Sequence, residues 1–279
     1  MDIHNDRRAN EATIEICALG AVYGGDKPAY LRECLQSIKD QSISIPLFIV
    51  IDGPICKNLE NELSEWTELN VNFIRIRENV GLAKALQKAL EVINKNFSYV
   101  IRFDADDINH PSRFEVIINY LMRNDVDLVS SHMNEIDDDG NIFSRRNIPI
   151  QSEKIKTISS YRNPINHPAA AFKISSVLYA GGYKEMPFFE DWYLWCRMIK
   201  KGFMVENIDQ YLVNFRATDE MISRRYGIKY LRHEANFFTT RHKEKLTPPI
   251  KNALAFFIRL ITKIFGFKIY KKIFLYIRK

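Results

Sequence analysis

The sequence predicts an α/β protein built on a mainly parallel sheet flanked by helices. Three observations carry that expectation. Short apolar runs alternate with amphipathic segments through the first half of the chain. Within each run the apolar residues are continuous rather than alternating, the mark of strands buried on both faces. The 279 residues, 46% of them hydrophobic, suffice for a large domain with a packed core.

The elements follow in order. Residues 14–23 form the first expected strand, closed by the Gly24-Gly25 turn. Pro28 sits at a first helical position, and Leu31, Leu35 and Ile38 recur at helical spacing. Residues 46–51 and 71–76 are the second and third strands, the second closed by Asp52-Gly53-Pro54. An Ala/Leu-rich helix is expected over 81–93, then a fourth strand over 99–103 that runs into Asp104-Ala105-Asp106-Asp107. A helix over 111–122 and a fifth strand over 126–130 complete this half. Such sheets bind ligands beyond the carboxyl ends of their strands, where Tyr23, Asp52, Arg77 and 104–107 fall. Further on, a hairpin is expected around Asp139-Gly140, and a helix over 191–200 with Trp192, Trp195, Cys196 and Ile199 on one face. A short strand over 212–215 and a polar helix over 224–241 follow. The chain divides into a polar N-terminus (1–12), a first half (13–130), a second half (131–247) and a basic tail (248–279).

Charge is unevenly spread. Residues 241–279 carry eleven Lys and Arg against one acid, Glu244, while the remaining chain holds 29 basic and 33 acidic residues. A body of this sign disfavours nucleic acid as a partner. The four cysteines show no C-x-x-C spacing, which predicts reduced thiols in a cytosolic setting. The N-terminus has no apolar core of a signal peptide, and no run approaches a membrane span, so a soluble or peripheral protein is expected. There is no G-x-G-x-x-G, G-K-[ST] or G-x-S-x-G, and no His/Cys spacing for zinc. NAD enzymes, P-loop ATPases, serine hydrolases and zinc hydrolases are thereby disfavoured.

Asp104 and Asp106 lie two apart on extended chain, so they face one side and suit a divalent cation shared with substrate phosphates. The same run also suits an Asp-rich turn ahead of a helix. Asp137-Asp138-Asp139-Gly140 lacks EF-hand spacing and reads as a solvated hairpin turn. Glu190-Asp191 at the head of an aromatic helix is either a complement to the helix dipole or a general base walled by aromatic rings. His167, between prolines, is a turn residue or a ligand, and Trp192 is core or a sugar platform.

Taken together, these residues resemble the family-2 inverting glycosyltransferases with the GT-A fold. The resemblance runs from about residue 14 to 225. It rests on Val22-Tyr23, Val50-Ile51-Asp52-Gly53, Arg77-Glu78-Asn79-Val80-Gly81-Leu82-Ala83, Asp104-Ala105-Asp106 and Glu190-Asp191, in the family's order. It implies that Tyr23, Asp52 and Arg77, with Asn79, Gly81 and Ala105 beside them, hold a nucleotide-sugar. Asp104 and Asp106 would bind Mn²⁺ or Mg²⁺ with the diphosphate, and Asp191, with Glu190 as the other candidate, would be the base. Asn163-Pro164…His167-Pro168, Arg216 and Arg224-Arg225 look like bacterial O-antigen and exopolysaccharide transferases. That likeness implies a UDP-hexose donor (glucose or galactose), an undecaprenyl-diphosphate-linked saccharide acceptor and the cytoplasmic face of the inner membrane. His167, Trp192 and Arg216 are its acceptor or diphosphate candidates. Thr218 departs from the family, many of whose members carry His there. A sugar nucleotidyltransferase and a non-catalytic binding module are the alternatives.

On a helical wheel, Lys251, Asn252, Arg259, Thr262 and Lys263 share one arc with Ala255, and apolar residues fill the rest. With a second basic stretch over 268–279, the tail is expected to lie in the interface of an anionic membrane through 250–279. On that view its removal spares transfer to short soluble acceptors.

Overall fold

A computed structural model describes residues 15–264; the expected N-terminal segment 1–12 and Lys268, Lys271, Lys272, Arg278 and Lys279 of the tail lie outside them. The sheet runs in the order β3 (Val71–Ile76), β2 (Leu47–Asp52), β1 (Ile16–Tyr23), β4 (Tyr99–Arg102), β8 (Ala171–Lys173), β6 (Leu128–Ile136), β9 (Val205–Arg216) and β5 (Ile108–Asn109), with β7 (Ile142–Arg146) paired to β6. Strands β1 (Ile16–Tyr23), β2 (Leu47–Asp52), β3 (Val71–Ile76) and β4 (Tyr99–Arg102) are parallel, so their carboxyl ends point one way. Strands β1, β2 and β4 are each followed by a turn because Gly24-Gly25, Gly53-Pro54 and the aspartates after Phe103 do not favour extending the ladder.

Successive residues of β1 face opposite cores. Ala18 and Val22 pack with α1 (Pro28–Lys39), α2 (Lys57–Ser64) and α4 (Arg113–Arg123). Cys17 and Leu19 pack with α3 (Leu82–Ile93), α6 (Ile174–Tyr179) and α7 (Glu190–Lys200). The continuous apolar strand is therefore buried on both faces, as its composition required. The third strand differs: β3 is the sheet's edge and alternates between half-buried and exposed residues.

The second half is less regular than expected. The fifth strand and the hairpin's first arm are one strand, β6 (Leu128–Ile136), which turns at Asp139-Gly140 into β7 (Ile142–Arg146). The strand expected over 212–215 is the end of β9 (Val205–Arg216), parallel to β6. Two short strands had no sequence signal, β5 (Ile108–Asn109) and β8 (Ala171–Lys173), the latter bridging β4 and β6 antiparallel. Between sheet and tail run α5 (Ser152–Ile158), α8 (Asp219–Ser223), α9 (Ile228–Lys243) and α10 (Pro249–Ile264).

Helix α7 is buried nearly all round. Leu194, Trp195 and Met198 meet the sheet-side core, while Trp192, Tyr193 and Cys196 join Phe237 and Phe238 of α9 and Ala255 of α10. The two tryptophans expected on one face thus belong to different cores. In helix α10 the polar residues expected to meet anionic headgroups are engaged by the body instead. Its polar arc docks on the body: Asn252 donates to the Phe238 carbonyl, and Arg259 and Lys263 both pair with Glu234 of α9, which is 0% exposed. Its apolar face points outward, with Ile250 83% and Phe257 57% exposed and Leu254, Ile258 and Ile261 exposed beside them. No helix among the described residues is long and apolar enough to cross a membrane.

Candidate active site

At the end of β2, Asp52 is buried, and its two carboxylate oxygens accept the Val80 and Gly81 N–H groups at 2.8 and 2.9 Å. The Asn79 amide returns a bond to the Asp52 carbonyl at 3.2 Å. The approach is so close that a Cβ on Gly53, at φ +83°, would stand 2.5 Å from the Asn79 nitrogen. Two sequence motifs are therefore halves of one locked loop pair. Tyr23 stands 42% exposed beside it, and Arg77 lies exposed just past the end of β3.

The D-x-D segment continues β4. Its Asp104 pairs with the buried Arg102, and the Phe103 ring fills the space over Gly20, where a Cβ would overlap it. Burial, then the charge of Asp104, pushes the Asp106 carboxyl up to about 6. Ala105 is packed in the core beneath. Asp26 was not singled out by the sequence. It accepts the Tyr23 N–H at 2.9 Å, and burial, with Asp106 and Asp104 nearby, raises its carboxyl to about 7. Among the described residues no three His, Cys, Asp or Glu stand as a ready-made metal cluster. The oxygen-only donors Asp104 and Asp106 fit a hard cation that takes its remaining ligands from a diphosphate.

A cavity of about 490 Å³ is lined by Asp104 together with Glu190 and Asp191, the first residues of α7. Phe188 precedes them at φ +71°, a conformation uncommon for a non-glycine residue. Asp191 accepts the Asn163 amide at 2.6 Å and the Trp192 N–H at 2.6 Å. Burial raises its carboxyl above the usual range, opposed by the Trp192 N–H, Arg146 and Asn163. Glu190 is raised to about 7, again by burial and then by Asp191.

Of the three acceptor or diphosphate candidates, His167 and Trp192 line the cavity and Arg216 does not. His167 lines the cavity but is buried, bonds Tyr183 Oη at 2.8 Å, and is held neutral by burial and Arg102, its pKa lowered to about 3. Trp192 donates its indole N–H to the Ser159 carbonyl at 3.0 Å and serves as core wall. Arg216 is 2% exposed and off the cavity. Its guanidinium binds Glu33 and the carbonyls of Asp106, Asp137 and Asp138, with its carbon centre 4.1 Å from the centroid of the Tyr30 ring. It ties the acidic hairpin turn to the D-x-D loop rather than meeting a substrate. Thr218 caps α8 by accepting the Met221 N–H at 3.1 Å, a role a family histidine would not fill.

Residues 21–178 match the family described as Glycosyl transferase family 2. The chain belongs to that family. It is 32% identical over 272 residues to the Escherichia coli UDP-Gal:alpha-D-GlcNAc-diphosphoundecaprenol beta-1,3-galactosyltransferase, covering 95% of this chain and 98% of that one. It is 31% identical over 252 residues to the amylovoran biosynthesis glycosyltransferase AmsE of Erwinia amylovora, covering 89% and 94%. S. aureus TarS 1-349 in complex with UDP-GlcNAc superposes with a TM-score of 0.63 at 13% identity, over 87% of this chain and 70% of that one. The mannosyltransferase PcManGT from Pyrobaculum calidifontis, in complex with GDP-Man and Mn2+, gives 0.60 at 15% identity, over 86% and 68%. The fold is GT-A and the protein is a family-2 glycosyltransferase. The nucleotidyltransferase and non-catalytic alternatives fall with that assignment.

Proposed function

We propose that this family-2 glycosyltransferase moves a hexose, galactose or glucose, from a UDP-sugar to a saccharide on undecaprenyl diphosphate, with inversion. The observation that carries the reading is that Asp104 of the D-x-D segment and Glu190-Asp191 line the same cavity. A donor sugar entering from the strand ends meets an acceptor there, beside a carboxylate. The likeness to the Escherichia coli galactosyltransferase, spanning nearly both chains, supports the donor and the lipid-linked acceptor.

On this reading Tyr23, Asp52 and Arg77 frame the nucleotide. Asp104 and Asp106 would hold Mn²⁺ or Mg²⁺ with the donor phosphates; when bound, the cation offsets charge gathering on the departing diphosphate. Asn163 and the Trp192 N–H fix the Asp191 carboxylate, and the residue lines the cavity. Asp191 takes the acceptor hydroxyl's proton as the oxygen bonds the anomeric carbon. The bond from that carbon to the UDP oxygen breaks on the opposite face, and UDP departs with the electron pair. Burial of Asp191 strengthens it as a base. The outward apolar face of α10 would lie in the lipid interface and keep the enzyme beside its acceptor.

A panel of UDP-sugars with a synthetic GlcNAc-diphosphate-lipid tests the reading. Sugar-bearing lipid product and stoichiometric UDP are expected with UDP-galactose or UDP-glucose. Transfer only from GDP- or dTDP-sugars would reject the donor assignment.

A further inference from the structure

We propose that Arg146, Arg162 and Arg225 form a seat for the acceptor's own diphosphate, separate from the donor diphosphate's place at Asp104 and Asp106. The proposal rests on the lipid-linked acceptor reading above and adds the residues that recognise it.

Three guanidinium side chains from three unconnected segments line the cavity. Arg146 ends β7, Arg162 follows α5, and Arg225 lies between α8 and α9. Arg146 feels Arg162 and Arg225 as like charges and Glu135 and Asp191 as opposite ones. Holding such cations together on a cavity wall costs free energy, and a doubly charged ligand offsets it. All three are arginines, whose planar forks match phosphate oxygens in pairs, where lysines would act as point charges.

Their position selects the acceptor. The donor's phosphates belong at the strand ends beside Arg102 and the D-x-D aspartates, whereas Arg146 faces Asp191. A sugar whose hydroxyl reaches Asp191 carries its anomeric diphosphate one ring away, on the arginine side. The mouth continues the pattern. Phe188 and Ile258 rim the cavity, both exposed, and Ile258 opens onto the apolar face formed by Leu254, Phe257 and Ile261. A lipid leaving the diphosphate would run along that face. Sugar, diphosphate and hydrocarbon thus meet carboxylates, arginines and apolar helix in that order.

The test uses full-length protein and geranyl diphosphate, a lipid diphosphate without a sugar. With the donor side saturated by UDP and Mn²⁺, calorimetry is expected to show geranyl diphosphate binding still, and kinetics to show it competing with the acceptor. Arg146→Gln and Arg162→Gln are expected to weaken geranyl diphosphate and raise the acceptor KM by about tenfold or more, with UDP affinity unchanged. Arg146→Lys is expected to recover only part of the loss, and melting curves separate a folding defect from a binding one. Displacement of geranyl diphosphate by UDP, or equal binding by the variants, would overturn the seat. So would variants that lose only their binding to phosphatidylglycerol vesicles, since the arginines would then serve headgroups. A neutral alkyl GlcNAc glycoside used as well as the diphosphate acceptor would also reject the seat while leaving the transferase reading intact. Failure of every UDP-sugar with every acceptor would reject that reading instead.

Discussion

Lys263 donates its ammonium to Glu234 at 2.5 Å across the contact between α10 and α9, and Arg259 takes the carboxylate's other oxygen. Glu234 has no exposed surface, so one buried anion holds two cations of the tail helix. Removing one partner of a buried pair costs roughly 3–5 kcal/mol, because the remaining charges stay desolvated. Glu234→Gln is therefore expected to lower unfolding stability by about that much in urea titration. Amide exchange should quicken over α10 first.

Deleting residues 249–279 separates two roles of the tail. Ala255, Ile258, Arg259, Thr262 and Lys263 line the cavity, so the deletion removes part of its wall. Transfer to a short-chain soluble acceptor should fall along with vesicle binding, contrary to what the sequence implied. The double change Leu254→Ser, Phe257→Ser touches only the outward face. It should release the enzyme from anionic vesicles in a flotation assay and leave soluble-acceptor kinetics near wild type.

The Asp52 carboxylate accepts two backbone N–H groups, and an asparagine amide has only one acceptor oxygen to offer them. Asp52→Asn leaves one of the N–H groups of Val80 and Gly81 facing a donor. A cost of about 1–3 kcal/mol is expected, read as a lower melting temperature and weaker UDP binding in calorimetry. Acceptor KM should move little.

Much of the site was legible because strand ends and catalytic residue types are local signals. Gly24-Gly25, Gly53, the D-x-D aspartates and Glu190-Asp191 each announce themselves within a few residues, and the parallel sheet brings them together. The rest depends on partners far along the chain. Asp26 matters because Asp104 and Asp106 stand near it, and Asn163 because Asp191 does. Arg216 looked like a substrate contact; five bonds to neighbouring loops, its own N–H to Asp107 among them, make it a buried strut. The wheel of α10 shows two faces but not which one meets the body. Glu234, an acid in a polar helix, decides that, and nothing beside it in sequence marks it as buried. Strand β8 is three residues long and carries no periodicity to read.

Burial and then the charge of Asp191 push the Glu190 carboxyl up to about 7 from an ordinary value of 4.5. Between those values the folded state binds more protons than the unfolded one, so stability falls as pH rises through that window and levels off above it. Glu190→Gln removes the loss. At pH 8 the variant should exceed wild type in urea-unfolding stability by something on the order of 2 kcal/mol.

Asp191→Asn keeps the side chain's shape and removes its basicity. Turnover should drop by roughly 10²–10⁴ with UDP-sugar affinity nearly unchanged. Glu190→Gln should retain far more activity. The reverse order of the two variants would make Glu190 the base.

The most direct measurement is the anomeric configuration of the product. Proton NMR of the purified sugar–lipid product, made from a UDP-α-hexose, reports it through the coupling of the new anomeric proton. With Asp191 activating the acceptor hydroxyl on the face opposite the leaving UDP, the account predicts a large trans-diaxial coupling and a β linkage. A small coupling and an α linkage would contradict it.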